Sequence, residues 1–417
     1  MSERLAVARL LLRLAWRSLW RNRRRTEITL SSIALGLSLA LFFGSLAQGT
    51  YEKAVTDATR LLAGQLTVET PRYNESPGPA LALSGAPALR DRLQAMPGVV
   101  RVRPLVSAQA VASSGAGSLG VVLIGVDPRI ERGSSPLESK LVAGKFLDPS
   151  EPRGLLIGAG LAKRLRVAPG KKVVLTATDV QGNVSSELFR VSGIFRLGAD
   201  ELDTYAAQGQ LPLVRKLLGL REDQVGQLGL FLAPDGRDVQ RKAQELAGPA
   251  LAVRTWQETM PGLAAWIAID SRSNDVTRAL LIGLVMFTIM NTLLMSVLER
   301  GHEFAVLLAL GTPPRQLKAQ VLLEVVLLAV LGCALGALLG SLAAWWGQVR
   351  GIDLSGAFPE GVTVGGMALD PIIHCKLSAF SVAKVTGLVF AATILLGLGP
   401  MRRAGRVDVV TSLRTQR

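Results

Sequence analysis

The residues that could do chemistry are few, and their spacing argues against most of it. His302-Glu303 opens like the H-E-x-x-H helix of zinc proteases, in which two histidines on one helical face hold the metal. The position for the second ligand, however, is Val306. The other histidine, His374, lies in a different segment. Pro169-Gly170-Lys171 and Ala143-Gly144-Lys145 set lysine beside glycine without the G-x-x-x-x-G-K-[ST] spacing that wraps backbone amides around phosphate. Asp148, Glu151, Asp200, Glu201 and Asp203 fall in predicted loops, where a carboxylate is ordinarily solvated and no acid–base pair is marked out. Asn291 is the clearest polar side chain within an apolar run and is expected to hydrogen-bond a neighbouring helix. What remains is a short segment of helical pattern with a polar start, Glu299-Arg300-Gly301-His302-Glu303-Phe304-Ala305-Val306-Leu307-Leu308-Ala309-Leu310-Gly311, followed by Arg315-Gln316-Leu317. Its Ala309-Leu310-Gly311 end suits a helix that stops against a partner. The chain is expected to be no enzyme by itself, with no catalytic, cofactor-binding or metal-binding residues.

The elements that must position this segment are membrane-length apolar runs. Ile28–Tyr51, Ala279–Leu298 and Val325–Val349 each supply the ~20 residues a helix needs to cross ~30 Å of hydrocarbon. Val385–Met401 is slightly short and is extended backwards by Ala379–Lys384. A segment of roughly 225 residues separates the first run from the other three. That layout predicts an integral membrane α-helical protein with four transmembrane helices and one large inserted domain. Ser45-Leu46-Ala47 resembles a signal-cleavage site, but the run is longer than the ~7–15 residues of a signal core, so the first span is expected to be retained.

Charge fixes the sides. The net charge of +15 looks like a nucleic-acid signal until it is located. Residues 1–27 hold eight arginines against Glu3 and Glu27. The tail after Pro400 holds Arg402, Arg403, Arg406, Arg414 and Arg417 against Asp408, and the segment between the second and third runs adds a further net +1. Positive residues mark the cytoplasmic face, so both termini are expected inside and the large domain outside. No nucleic-acid module accompanies the basic residues, and no nucleic-acid partner is expected. Arg9, Arg13, Arg17, Arg21 and Arg25 recur every four residues beside Trp16 and Trp20. This is the pattern of a helix lying in the interface, guanidinium groups toward lipid phosphate and indoles at headgroup level. Arg17, Trp20, Arg24 and Arg25 are its expected anchors, membrane lipid their partner. A cytoplasmic extension of the first span that never touches lipid is the other reading.

On the third run, Gly332, Gly336 and Gly340 recur every four residues, a spacing that lets helix backbones approach closely and predicts a packing face without naming its partner. Trp345 and Trp346 suit the outer aromatic belt. The inserted domain has no cysteine, since Cys333 and Cys375 both fall outside it, and it must fold on its core alone. Its pattern is α+β. Thr50–Ala63 continues the first span as a stalk, and Gln65–Thr70, Val99–Pro104, Ser118–Val126, Gly154–Gly158, Lys172–Thr178, Glu187–Phe195 and Leu228–Leu232 read as strands. Ala88–Met96, Ala159–Leu165, Gln208–Leu218 and Asp238–Ala247 read as helices, and Thr255–Arg278 as a helix running back into the second span.

Three segments then resemble one family. The segment from Glu299 to Gly311 resembles the E-R-x-x-E-I-G-x-L-R-A-L-G of FtsX/MacB-like ABC transporter permeases. Ala15-Trp16-Arg17-Ser18-Leu19-Trp20-Arg21-Asn22-Arg23-Arg24-Arg25-Thr26 looks like the family's opening A-W-R-N-L-x-R-N-x-R-R-T. Pro400-Met401-Arg402-Arg403-Ala404-Gly405-Arg406-Val407-Asp408 with Ser412-Leu413-Arg414 looks like its closing P-x-x-R-A-x-R-x-D-P…A-L-R. Departures are His302, Phe304-Ala305, Leu308 and Val409 where the family has a basic residue, Ile-Gly, Arg and Pro.

The resemblance implies an inserted periplasmic domain of MacB type in the bacterial inner membrane. The expected order is an interfacial helix over 1–27, spans over 28–49, 277–298, 318–349 and 379–400, and a periplasmic domain over 50–276. A coupling helix over 299–317, a short periplasmic loop over 350–378 and a basic cytoplasmic tail over 401–417 complete it. Glu299, Arg300, His302, Glu303, Leu307, Ala309, Leu310 and Gly311 would dock on a cytoplasmic ATPase dimer, which alone binds ATP and Mg. A second permease chain, identical or related, would complete a mechanotransmission machine. No ATPase domain is visible in the 417 residues, which the resemblance reads as a separate subunit. Gly198–Asp203, Leu213–Leu218 and Trp256 ahead of Pro261-Gly262-Leu263 are similar to the lipoprotein-releasing LolC/LolE type, which would add a periplasmic lipoprotein chaperone as partner. Efflux with a periplasmic adaptor, FtsX-like regulation of cell-wall hydrolases and a ligand-sensing receptor are the alternatives. By analogy alone, a substrate cavity would lie between first and second spans of opposing subunits, near Leu41 and Leu284.

Overall fold

A computed structural model describes residues 2–61, 63–233, 238–353, 362–364, 367–369 and 372–404. The closing motif beyond Ala404, the turn Pro234-Asp235-Gly236 and residues 354–361, 365–366 and 370–371 of the 350–378 loop lie outside them. In chain order the helices are α1 (Ser2–Arg21), α2 (Arg23–Leu61), α3 (Ala86–Gln94), α4 (Pro128–Glu131), α5 (Pro136–Ser139), α6 (Ala159–Leu165) and α7 (Asp200–Tyr205). They continue as α8 (Leu211–Leu217), α9 (Val239–Ala247), α10 (Trp256–Thr259), α11 (Pro261–Glu299), α12 (Gly301–Ala309), α13 (Pro314–Arg350) and α14 (Ala379–Ala404). The strands are β1 (Leu66–Glu69), β2 (Val99–Ser114), β3 (Gly117–Val126), β4 (Leu141–Gly144), β5 (Gly154–Gly158), β6 (Lys172–Thr178), β7 (Val184–Phe195), β8 (Ala206–Gln210), β9 (Gln227–Leu232) and β10 (Ala252–Thr255). The short pairs β11 (Ile352–Asp353) with β14 (Ile372–Ile373) and β12 (Val362–Val364) with β13 (Met367–Leu369) follow.

The chain forms two compact units: Met1–Thr50 with Asp270–Asp353 and Ile372–Arg417, and Tyr51–Ile269 with Leu354–Pro371. In the first, α2, α11, α13 and α14 are long and apolar enough to cross a bilayer. Their shared core draws Ile33, Leu37 and Leu41 from α2, Met286, Ile289 and Leu293 from α11, Val325 and Leu328 from α13, and Val385 and Val389 from α14. Leu41 is thus buried within its own chain's bundle, whereas Leu284 is exposed. The cavity expected by analogy cannot use Leu41 as a wall.

In the second unit a ten-stranded sheet runs β10-β1-β9-β2-β3-β8-β5-β7-β4, with β6 pairing both β2 and β7. It is mixed: β3 with β8 and β5 with β7 are parallel. Leu123, Leu155, Leu175, Phe189 and Leu228 fill its main core with Leu93 of α3, Leu161 of α6, Val214 of α8 and Ala243 of α9. Each of the Leu, Val and Phe side chains contributes ~1.5–3 kcal/mol by leaving water, which lets a cysteine-free domain fold.

Three sequence expectations are corrected here. The helix expected over Gln208–Leu218 is strand β8 followed by α8. Ala207 and Gln208 are held between β3 and β5, and Pro212 lies in the first turn of α8, where its missing N–H costs nothing. The acidic residues expected in a loop at 200–203 form α7, and Asp203 is buried, accepting hydrogen bonds from the N–H groups of Leu197 (2.7 Å) and Gly198 (3.1 Å). The single helix expected from Thr255 is two. Thr255 and Glu258 form a capping box that starts α10, which ends at Thr259, and Pro261 opens α11.

Candidate functional site

The segment between the second and third long helices folds as α12, and its boundaries are written in its sequence. At the far end Gly311 takes a φ of +90°, a left-handed conformation that costs a side-chain-bearing residue and costs glycine nothing. Gly311 donates to the carbonyl of Leu308 (3.0 Å) and Thr312 to that of Leu307 (3.0 Å), the paired bonds of a Schellman end. Pro313 and Pro314 then forbid continuation and Pro314 starts α13.

One face of α12 is held and the other is exposed. Phe304 is buried among Val297, Leu317 and Val321, with Leu307, Leu308 and Met401 packed around them, and Ala305 is buried as well. Leu307, expected on the docking face, is therefore half-buried against the bundle. His302, Glu303, Val306, Ala309, Leu310 and Gly311 are exposed, Leu310 at 78 %. Val306 joins that face although no motif pointed to it; its signal is the four-residue step from His302 to Val306 to Leu310.

The polar start of the segment is spent on ion pairs. Arg300 places one Nη on both oxygens of Glu324 of α13 (2.9 and 3.0 Å), its Nε on Glu303 (3.2 Å), and its guanidinium over the Phe304 ring (5.0 Å). Arg25 pairs with Glu299, and Arg21 with Glu303 at 2.8 Å. Arg21 and Arg25 flank the break between α1 and α2, and Glu299 and Glu303 flank that between α11 and α12, so the two helix junctions meet charge for charge. Arg25, expected to reach lipid phosphate, is instead half-buried in this network. Arg17, Trp20 and Arg24 are exposed, with Trp16 edge-on to Trp20 at 5.9 Å, while Ala15 and Leu19 are buried. A small cavity of about 30 Å³ lies among Thr26, Thr29, Thr292, Ser296 and Glu324, with Leu293, Val297, Val325 and Leu328 also lining it.

The glycine stripe of α13 meets α2. A Cβ placed at Gly332 falls 2.8 Å from Cβ of Ile33, one at Gly336 falls 2.9 Å from the carbonyl of Ala34, and one at Gly340 falls 2.9 Å from Cα of Ser38. Ser38 seals the contact by donating to the Gly336 carbonyl (3.0 Å). Asn291, expected to bond a neighbouring helix, is exposed on α11 and makes no hydrogen bond among the described residues.

Known proteins match this arrangement in two blocks. The MacB-like periplasmic core domain family model matches residues 26–246, and that of the FtsX-like permease C-terminal matches residues 277–409. The chain belongs to the FtsX/MacB permease family. Members of this family are permeases of ABC transporters that work with ATPase partners, so the permease is a membrane protein of the bacterial envelope. It is similar to the lipoprotein-releasing system transmembrane protein LolC of Neisseria meningitidis, at 29 % identity over 52 % of this chain and 54 % of the relative. It is also similar to LolC of Xylella fastidiosa, at 25 % over 68 % and 67 %. A third relative is the pyoverdine export ATP-binding/permease protein PvdT of Pseudomonas entomophila, at 25 % over 97 % of this chain and 59 % of the relative. The permease thus spans little more than half the length of the Neisseria and Pseudomonas relatives. Among solved structures, the periplasmic region of MacB from Actinobacillus actinomycetemcomitans covers 46 % of the permease and 87 % of its own chain, at 13 % identity and a TM-score of 0.34.

Proposed function

We propose that this permease converts ATP hydrolysis on a separate cytoplasmic ATPase dimer into movement of its MacB-like domain, and that the movement releases lipoproteins from the inner membrane. The observation that carries the reading is α12. It is a short helix between two spans, tied to the bundle through Arg300–Glu324 and Phe304, with the apolar rim Val306, Ala309 and Leu310 left open for a partner. Force applied to that rim enters the bundle through buried groups. The chain itself supplies no catalytic group; ATP and Mg belong to the ATPase, and a second permease chain completes the pair. The basic residues of α1 and the tail favour both termini inside and the large domain in the periplasm. The likeness to LolC favours lipoprotein release with a periplasmic chaperone. A match to PvdT along 97 % of the chain favours export of a small molecule with a periplasmic adaptor as the second reading.

The test is affinity purification of the tagged chain from native membrane in mild detergent, with mass spectrometry. An ATPase, a related permease and acylated lipoproteins are expected. An ATPase with an adaptor and an outer-membrane channel would select export. Full recovery of the ATPase with Leu310→Glu would remove α12 as its docking site.

A further inference from the structure

The far end of α2 is held by a buried charge that nothing in the coupling site requires. Arg103 of β2 is 2 % exposed, and its guanidinium donates to the carbonyls of Arg60 (3.0 Å) and Leu61 (3.4 Å), the last residues of α2. Those carbonyls have no partner within the helix, and they carry the negative end of its dipole. Glu131, closing α4 and 1 % exposed, holds the same guanidinium at 3.2–3.3 Å. Burial holds the Arg103 guanidinium below its ordinary pKa, and Glu131 offsets part of that cost. The chain after α2 is seated on β9. Gly64, at φ +88°, would drive a Cβ to within 2.9 Å of the Leu230 carbonyl carbon, and a Cβ at Gly229 would lie 2.7 Å from that of Ala63. Gln65 then donates to the Leu230 carbonyl (2.9 Å). Arg103 is the register partner of Gly229, so one pair of residues supplies both the clasp and the seat.

An apolar pair of similar volume would support the sheet as well as Arg103 and Glu131 do, because buried ion pairs barely repay their desolvation. An apolar pair could not bind helix carbonyls. We infer that Arg103, oriented by Glu131, is a positioning residue that fixes the end of α2 to β2 and β9, so that displacement of the first span reaches the sheet instead of being absorbed in the turn Ala63-Gly64-Gln65. This rests on the coupling reading above, but its local part does not depend on it.

The test is hydrogen exchange on the full chain in lipid nanodiscs, alone and with the ATPase that accompanies it, comparing wild type, R103K and the double variant R103M/E131L. The double variant leaves no orphaned charge, so it keeps the fold where R103M alone can fail. Without ATP, its amides at 58–61 are expected to exchange at least tenfold faster, with R103K intermediate and the rest of the sheet unchanged. With ATP, hydrolysis is expected to continue at the wild-type rate, while the ATP-dependent change in exchange of β2 and β9 falls by half or more. Wild-type exchange at 58–61 in the double variant would overturn the clasp. A full ATP-dependent response in β2 and β9 would overturn its role in transmission. If no ATPase accompanies the wild type, the coupling reading fails, and the ATP-free arm still decides the clasp.

Discussion

The helices α2 and α11 are both 39 residues long and both run from one unit of the chain into the other, yet they are built for different work. Of α2's most apolar stretch 39 % is buried, against 22 % of α11's. Around α2 the neighbours come close. Gly36 admits Val285 and Gly44 admits Arg278 of α11, while the α13 glycines admit Ile33, Ala34 and Ser38. Its far end is clasped by Arg103. By contrast, α11 leaves Leu280, Leu284, Phe287, Met295 and Leu298 exposed along one stripe, with Asn291 among them. Its entry into the α+β unit relies on Met260 and Leu263 packing against Ala54 and Ala58. The contrast teaches that, of these two helices, α2 is the fixed one. α11 leads into α12 at one end and carries far more uncommitted surface than α2 along its length.

The contrast breaks first if α2's anchor is dispensable. Arg103→Met leaves Glu131 buried without its cation and is expected to destabilise the α+β unit by about 3–5 kcal/mol. The paired R103M/E131L is expected to recover nearly all of it, since replacing both partners removes the orphan. Denaturant unfolding followed by intrinsic fluorescence measures both. A double variant as weak as the single would mean that helix carbonyls, not Glu131, set the cost.

Glycine substitutions sharpen the same contrast within the spans. Gly336→Leu forces a side chain against the Ala34 carbonyl and Leu37, whose backbone cannot withdraw, and an overpacking loss of ~1–3 kcal/mol is expected. Gly283 of α11 has open space where its Cβ would stand, so Gly283→Ala is expected to be neutral or to gain up to ~1 kcal/mol from helix propensity. Melting temperatures in one detergent compare the two directly. Equal losses would erase the distinction between the packed and the open helix.

How much of this was legible in the sequence follows from the range of the forces involved. The four spans were legible because an uncharged run of sufficient length has one comfortable solvent. The α13 stripe was legible as a packing face, but its partner was not, because small residues say only that something comes close. The helix α12 was legible by the resemblance of its segment, and its exposed face only in part. Leu307 turns inward and Arg25 pairs with Glu299 for reasons set by helices distant in the chain. β8 misled because alanine and glutamine suit helices, and the pairing of Ala207 and Gln208 with β3 and β5 overrides that preference. β2 runs ten residues beyond Pro104, through Ser107-Ala108-Gln109-Ala110, whose small side chains give little alternation to read. The Arg103 clasp had no local signal at all, since an arginine in a strand announces neither a glutamate at 131 nor the end of a helix.

Asn291 tests the open side of α11 from within the chain. A polar side chain facing outward in a span has no internal bond to lose, so Asn291→Leu is expected to change the stability of the isolated chain by less than ~0.5 kcal/mol. A loss above ~1.5 kcal/mol would mean that Asn291 is bonded inside the bundle and that α11 is not the open helix.

The smallest effect is expected where α11's entry meets the sheet. Glu69 of β1 is fully buried beside Arg254 of β10 (3.0 Å), and burial raises its carboxyl above the ordinary range more than Arg254 lowers it. A raised value in the folded state means that the folded chain binds the proton more readily than the unfolded one. The site therefore stabilises fully below the ordinary glutamate value of ~4.3, and that contribution is lost as pH rises through the folded value. Glu69→Gln removes the titration and keeps an acceptor for Arg254. Its melting temperature relative to wild type is expected to rise as the pH is taken from 5 to 8, by a degree or two. The neighbouring Asn74 donates to the Glu258 carbonyl (3.1 Å) in the turn that starts α10, so slackness at Glu69 would be felt at the root of α11 and not at α2. A difference that stays flat across this range would show that Glu69 keeps one charge state throughout, and α11's attachment would then be as indifferent to pH as that of α2.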